Sequence, residues 1–243
     1  MKSIFAFLLI PALLLASCNS NVAPPSSQLP VATKTASGTV VEGKFDSQNG
    51  QVILRTSAWT GGAGSVVFAA RSAQDGSVAL GRTPLGADGK FSFATLADPK
   101  DSDLQKIAVS SENCSNTFVI SDPAALNTTA AFYAEAQKSG WFESAALNVS
   151  SDGDLTVTTG VLIYADRAVT VKGMETCKQQ DSSLLTADFD LTLVRGWNST
   201  TGTIKAGSSV VAVRNGSPAG VQWIYFAPDS ELASLSLNNF FLR

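Results

Sequence analysis

Carboxylates, lysines, serines, tyrosines and three cysteines are the side chains that could do covalent or acid–base chemistry, because the 243 residues include no histidine. That absence removes Ser-His-Asp and Cys-His nucleophilic catalysis, the usual zinc and copper ligand sets, and the commonest general base. A glycosidase would instead need two carboxylates about 5–10 Å apart, one with a raised pKa. Glu135 with Glu143, or Asp188 with Asp190, could be drawn in those roles, but spacing singles out neither pair. Asp188 and Asp190 flank Phe189, so on a strand they share a face, where they could share a cation or simply meet solvent. Asp101-Ser102-Asp103 and Ser151-Asp152-Gly153-Asp154 are too short for a calcium loop, which needs six or more oxygens, and read as turns. No Ser-x-x-Lys, Gly-x-Ser-x-Gly or phosphate-cradling glycine pattern occurs. The sequence predicts a protein that is not an enzyme and needs no metal or cofactor.

Binding is better represented. Trp141, Trp197 and Trp223 fall in the second half of the chain together with Tyr133, Tyr164 and Tyr225. Aromatic side chains on a sheet can line a pocket or form a platform for a sugar ring, and they also fill cores. In Arg195-Gly196-Trp197-Asn198 the indole follows a glycine turn, where a Trp is harder to bury than within a strand. Trp197, Trp223 and Tyr225 are the candidate ligand-binding residues. With 17 basic and 20 acidic residues the net charge is −3, and no basic patch points to nucleic acid.

The N-terminus carries an address. Met1-Lys2-Ser3 is followed by an apolar run from Ile4 to Leu15, too short to span a bilayer, which needs about 20 residues, and broken by Pro11. It has the form of a secretory h-region. The next residues, Leu15-Ala16-Ser17-Cys18, resemble the lipobox of bacterial lipoproteins. The resemblance implies cleavage after residue 17 and acylation of Cys18, hence attachment to a membrane of the cell envelope. Two or more acyl chains are needed for stable anchoring. Asn19 after the cysteine points to the outer membrane under enteric-type sorting. Residues 18–37 are rich in Ser, Pro, Ala and Asn and read as a tether. The remaining cysteines, Cys114 and Cys177, would then sit in an oxidising compartment, and a disulfide between them is expected. A reactive thiol pair or two buried free thiols are the alternatives.

Beyond Gly38 the chain alternates short apolar runs with Asn-Gly and Asp-Gly turn signals, at residues 49–50, 75–76, 88–89, 152–153 and 215–216. Helical periodicity is limited to one possible turn at Asp122-Pro123-Ala124. The fold class is all-β. Gly38-Thr39-Val40-Val41, Ala63-Gly64-Ser65-Val66-Val67 and Ala87-Asp88-Gly89-Lys90-Phe91-Ser92-Phe93 resemble the small Ig-like or transthyretin-like sandwich of bacterial surface proteins. That implies an accessory β-sandwich over residues 38–121, of a kind that stiffens, spaces or binds. Residues 122–243 would form a larger antiparallel β-sandwich or barrel-like domain. In it Phe189, Leu191 and Leu193 face inward, and Val221-Gln222-Trp223-Ile224-Tyr225-Phe226, apolar on both faces, is central. The stretch from Tyr164 through Val169-Thr170-Val171-Lys172-Gly173 to Gly196-Trp197-Asn198 resembles uncharacterised envelope lipoproteins, which implies a compartment and a β fold but no activity.

Three functions are consistent with these residues. The first is a lipid-anchored, non-catalytic envelope protein that serves as an interaction or assembly subunit with a protein partner. The second is a solute-binding lipoprotein holding a small apolar or sugar-like ligand in its second β domain, and the third is a carboxylate enzyme. A solvent-filled aromatic cavity would favour the second, and a flat exposed apolar patch the first.

Overall fold

The computed structural model describes residues 30–227, apart from 49–50, 73–75, 108–112, 150–154, 180–181, 206 and 218–219. The expected signal segment, Cys18 and the expected turns at 49–50 and 152–153 lie outside the described residues. The chain opens with β1 (Ala36–Gln48), β2 (Gln51–Ala58), β3 (Gly64–Ser72), β4 (Gly76–Leu85) and β5 (Lys90–Phe93). One 3-10 turn, Asp101–Asp103, precedes the short strands β6 (Gln105–Lys106), β7 (Cys114–Asn116) and β8 (Val119–Ile120). Six long strands follow: β9 (Leu126–Glu135), β10 (Gly140–Val149), β11 (Leu155–Ala165), β12 (Val169–Lys178), β13 (Leu184–Leu193) and β14 (Gly196–Lys205). The last two are β15 (Val210–Asn215) and β16 (Gln222–Phe226). The all-β class expected from the sequence is the observed one, and 122–125 makes a single turn, with Ala125 N donating to Asp122 O at 3.1 Å.

Hydrogen bonds join these strands into one sheet whose main path runs β2-β1-β16-β10-β9-β11-β14-β15-β13-β12-β7. Part of it curls back on itself. From β9 the pairing continues to β3 and β4, β5 pairs with β1 from Ala36↔Phe93 to Thr39↔Lys90, and Thr83 Oγ1 donates to Ser92 O at 2.6 Å across the remaining seam. The Asp88-Gly89 signal sets that seam. Gly89 has φ +80°, and a Cβ on it would come within 2.4 Å of Val40 O, so only glycine lets β5 lie against β1.

The curl gathers an aromatic core of Phe68, Phe91, Phe93, Phe132 and Phe142 with Val40, Val66 and Trp197. Phe68 and Phe132 lie 5.4 Å apart, and Phe132 and Trp223 4.8 Å. A second, aliphatic core lies under β11 to β15, where Val161, Ile163, Val171, Phe189, Leu191, Leu193, Val211 and Val213 converge. Phe189, Leu191 and Leu193 face inward as their alternation predicts, and β16 is central, between β1 and β10.

Two boundaries differ from the expected ones. The chain does not separate at 121–122 into a sandwich over 38–121 and a second domain over 122–243. Strand β3 pairs with β9 from Ser65↔Glu135 to Ala70↔Ala130, and β1 pairs in parallel with β16 from Val40↔Trp223 to Gly43↔Phe226. Val66 and Phe68 of β3 belong to one cluster with Phe132 of β9, Phe142 of β10 and Trp197 of β14, so both sections share one core. Nor does the tether run to residue 37. Thr33 N donates to Trp197 O at 2.6 Å, Leu96 N to Lys34 O at 2.8 Å, and Ala36 is buried. Polar composition concealed this docking, which is made by backbone groups that any residue supplies.

Candidate functional site

Strand β10 changes partner along its length, and a cleft opens where it does. Phe142 pairs with Phe132 of β9, but from Ser144 onward β10 pairs with β11, through Ser144↔Gly160. Strand β11 in turn leaves β10 after Gly160 and joins β9 at Ile163↔Thr129. Ala130, Ala131, Glu143, Val161 and Leu162 surround this fork, and the space between them is a cleft of about 280 Å³. Small-molecule sites start at about 300 Å³, so the cleft suits one compact ring.

Its walls combine apolar, hydroxyl and charged groups. Phe142, Val161 and Trp223 supply apolar surface, while Thr33, Ser37, Ser144, Ser199 and Thr200 bring hydroxyls. The docked segment after residue 30 is therefore a wall of the site, fixed by the 2.7 Å bond between Thr33 Oγ1 and Ser199 Oγ. Thr200 Oγ1 donates to Val161 O at 2.9 Å, beside the fork.

Arg71 is the cation of the cleft. It ends the buried run Val66–Ala70 on β3, and its guanidinium carbon lies 5.7 Å from the centre of the Trp141 ring. Trp141 is held edge-on by Tyr133 at 5.0 Å and is 43% exposed. Among the described residues nothing accepts a hydrogen bond from the buried Arg71 Nε. Burial pulls the guanidinium below its ordinary pKa, and the Glu143 carboxylate partly offsets that shift. A partly desolvated guanidinium gains from an anion that hydrogen-bonds to it.

The three aromatic residues singled out from the sequence do not form one site. Trp223 lines the cleft, where its Nε1 donates to Ser37 O at 3.1 Å. Trp197 is 2% exposed in the core, 5.1 Å from Phe68 and 5.3 Å from Tyr164, with Nε1 donating to Ala97 O at 3.0 Å. Gly196 opens β14 instead of ending a strand, so Trp197 is a strand residue and its indole turns inward. Tyr225 is buried against Trp59 at 5.4 Å, and its hydroxyl donates to Ser139 O at 3.3 Å. Sequence reasoning passed over Arg71 and drew Glu143 only as a catalytic candidate with Glu135. The one available signal was an arginine directly after five apolar residues, which resembles any strand end.

The other candidates are tied up locally. Glu135 is held by Arg82, and register places Glu143 four residues further along β10, about 13 Å away along the backbone. Lys172 Nζ is 3.0 Å from Asp190 and Arg214 Nη2 is 2.6 Å from Asp188, so each carboxylate has its own cation. Asp103 accepts from Lys100 N at 3.1 Å within its turn. Ser151–Asp154 lie outside the described residues. Cys114 and Cys177 are disulfide-bonded across β7 and β12, with Cα atoms 4.1 Å apart. Glu175 lies beside the two sulfurs, and burial raises its pKa above the ordinary carboxylate value.

No protein-family model, no curated protein and no solved structure matches the chain.

Proposed function

We propose that the chain is a non-catalytic solute-binding lipoprotein, anchored to an envelope membrane through Cys18, whose fork cleft takes up a small ligand. The single observation that carries this reading is the cleft itself: aromatic and hydroxyl walls around a desolvated arginine. The assembly-subunit reading has less support. Val31, Val119, Trp141, Met174, Leu184 and Val210 are the exposed large apolar side chains among the described residues; the last five lie on five different strands and Val31 on the segment before β1.

Native mass spectrometry of the protein extracted mildly from its own envelope tests the proposal. The expected spectrum shows acyl mass on the chain and a small adduct, and Ser217→Trp, which places an indole at the mouth of the cleft, removes the adduct. A stoichiometric protein partner with no adduct would favour the assembly role. Cys18→Ala is expected to release the protein from membranes, and retention would contradict the anchor.

A further inference from the structure

Resting on that reading, we infer that the ligand is a monocarboxylate carried on a hydroxylated ring, an acidic monosaccharide being the chemical class that fits. The charge follows from Arg71. Arg71 is half-buried, its Nε is buried with no acceptor among the described residues, and its guanidinium carbon sits 5.7 Å from the centre of the Trp141 ring. A planar fork of N–H donors matches a carboxylate in two parallel bonds, and the low local dielectric strengthens that pair.

Glu143 on the same cleft wall limits the charge. One carboxylate beside one guanidinium leaves the site without a large positive surplus, so a single negative charge is accepted and a phosphate dianion is repelled. Hydroxyls of Ser37, Ser144, Ser199 and Thr200 surround the same space. Each hydroxyl has one donor and two acceptor sites. Thr200 uses its proton on Val161 O and keeps acceptor capacity for a ligand hydroxyl. Phe142, Val161 and Trp223 give the apolar faces against which the C–H side of a sugar ring packs. The volume of about 280 Å³ accommodates one ring.

Isothermal titration of the full folded chain with three probes tests the charge rule: glucuronate, glucose and glucose 6-phosphate. Glucuronate is expected to bind at least about tenfold more tightly than either of the others. Arg71→Gln should remove that preference, and Glu143→Gln should improve glucose 6-phosphate selectively. Far-UV circular dichroism and the melting temperature show whether each variant is folded. Should Arg71→Gln fail to fold, Arg71→Lys serves instead, with a partial loss confined to glucuronate. Equal affinity for glucose and glucuronate, tightest binding of the phosphate, or no binding of glucuronate would each overturn the inference. An adduct that Ser217→Trp removes from the native protein would still leave the solute-binding reading standing in those cases, so the two failures are distinguishable.

Discussion

Glycine 38 shows how much of the site depends on single atoms. A Cβ built there would come 2.2 Å from Trp223 Cδ1, so the indole lies where a side chain would otherwise stand. Gly38→Val is therefore expected to push Trp223 out of its contacts with Phe91 and Phe132 and to cost about 1–3 kcal/mol, read as a lower urea midpoint. A midpoint equal to wild type would contradict the packing described. Two carboxylates act in opposite directions with pH. Desolvation would raise the pKa of Glu42, but hydrogen bonds from Lys138 and Thr60 outweigh it and hold the value below the ordinary one. Glu42 thus contributes stability above the unfolded pKa, lost as pH falls through the lower folded value. Burial raises Glu175, so its charged form destabilises the fold at neutral pH and acid relieves the cost. Glu175→Gln is expected to raise the denaturant midpoint at pH 7 and to leave it unchanged well below the ordinary carboxylate pKa. A gain that persisted in acid would point to packing instead of charge. At this scale the sequence was least informative. Trp223 and Trp197 are alike as letters, and only the register of β14 and β16 sends one to the cleft and the other to the core.

Elements were more legible, because turn chemistry and period-two alternation are local. Asp88-Gly89 marks the β4–β5 turn, with Gly89 N donating to Gly86 O at 2.9 Å, and alternation at 188–193 predicts the buried face of β13. Pairing between distant strands was not legible. Nothing in Thr39–Gly43 announces that β1 will lie parallel to β16 at the far end of the chain, and the partner change of β10 leaves no mark on its own residues. The disulfide is the element-scale constraint that cysteine parity did reveal. It fixes the three-residue strand β7 to the edge of β12 and closes a loop with a sequence separation of 63. Replacing both cysteines by serine is expected to cost about 4 kcal/mol from loop entropy. Thermal melts with and without reductant check this, and coincident melts would show that the bridge contributes little.

For the molecule as a whole, β3–β9 and β1–β16 pairing ties the two sections together, and the Glu42–Lys138 contact at 2.6 Å spans the same junction. Scanning calorimetry is therefore expected to give one transition, with equal calorimetric and van't Hoff enthalpies, and residues 38–121 expressed alone should not fold. Two resolved transitions would argue for the pair of independent domains that composition suggested. Shared strands also explain why a cleft exists: it lies at the fork where β10 and β11 exchange partners, with the docked N-terminal segment as one wall. The most direct test is the crystal structure of protein purified from its native source without added ligand. Electron density for a one-ring molecule in the fork cleft, with a carboxylate against the Arg71 guanidinium, is expected. A cleft holding only ordered water, in protein that never lost its native ligand pool, would contradict it.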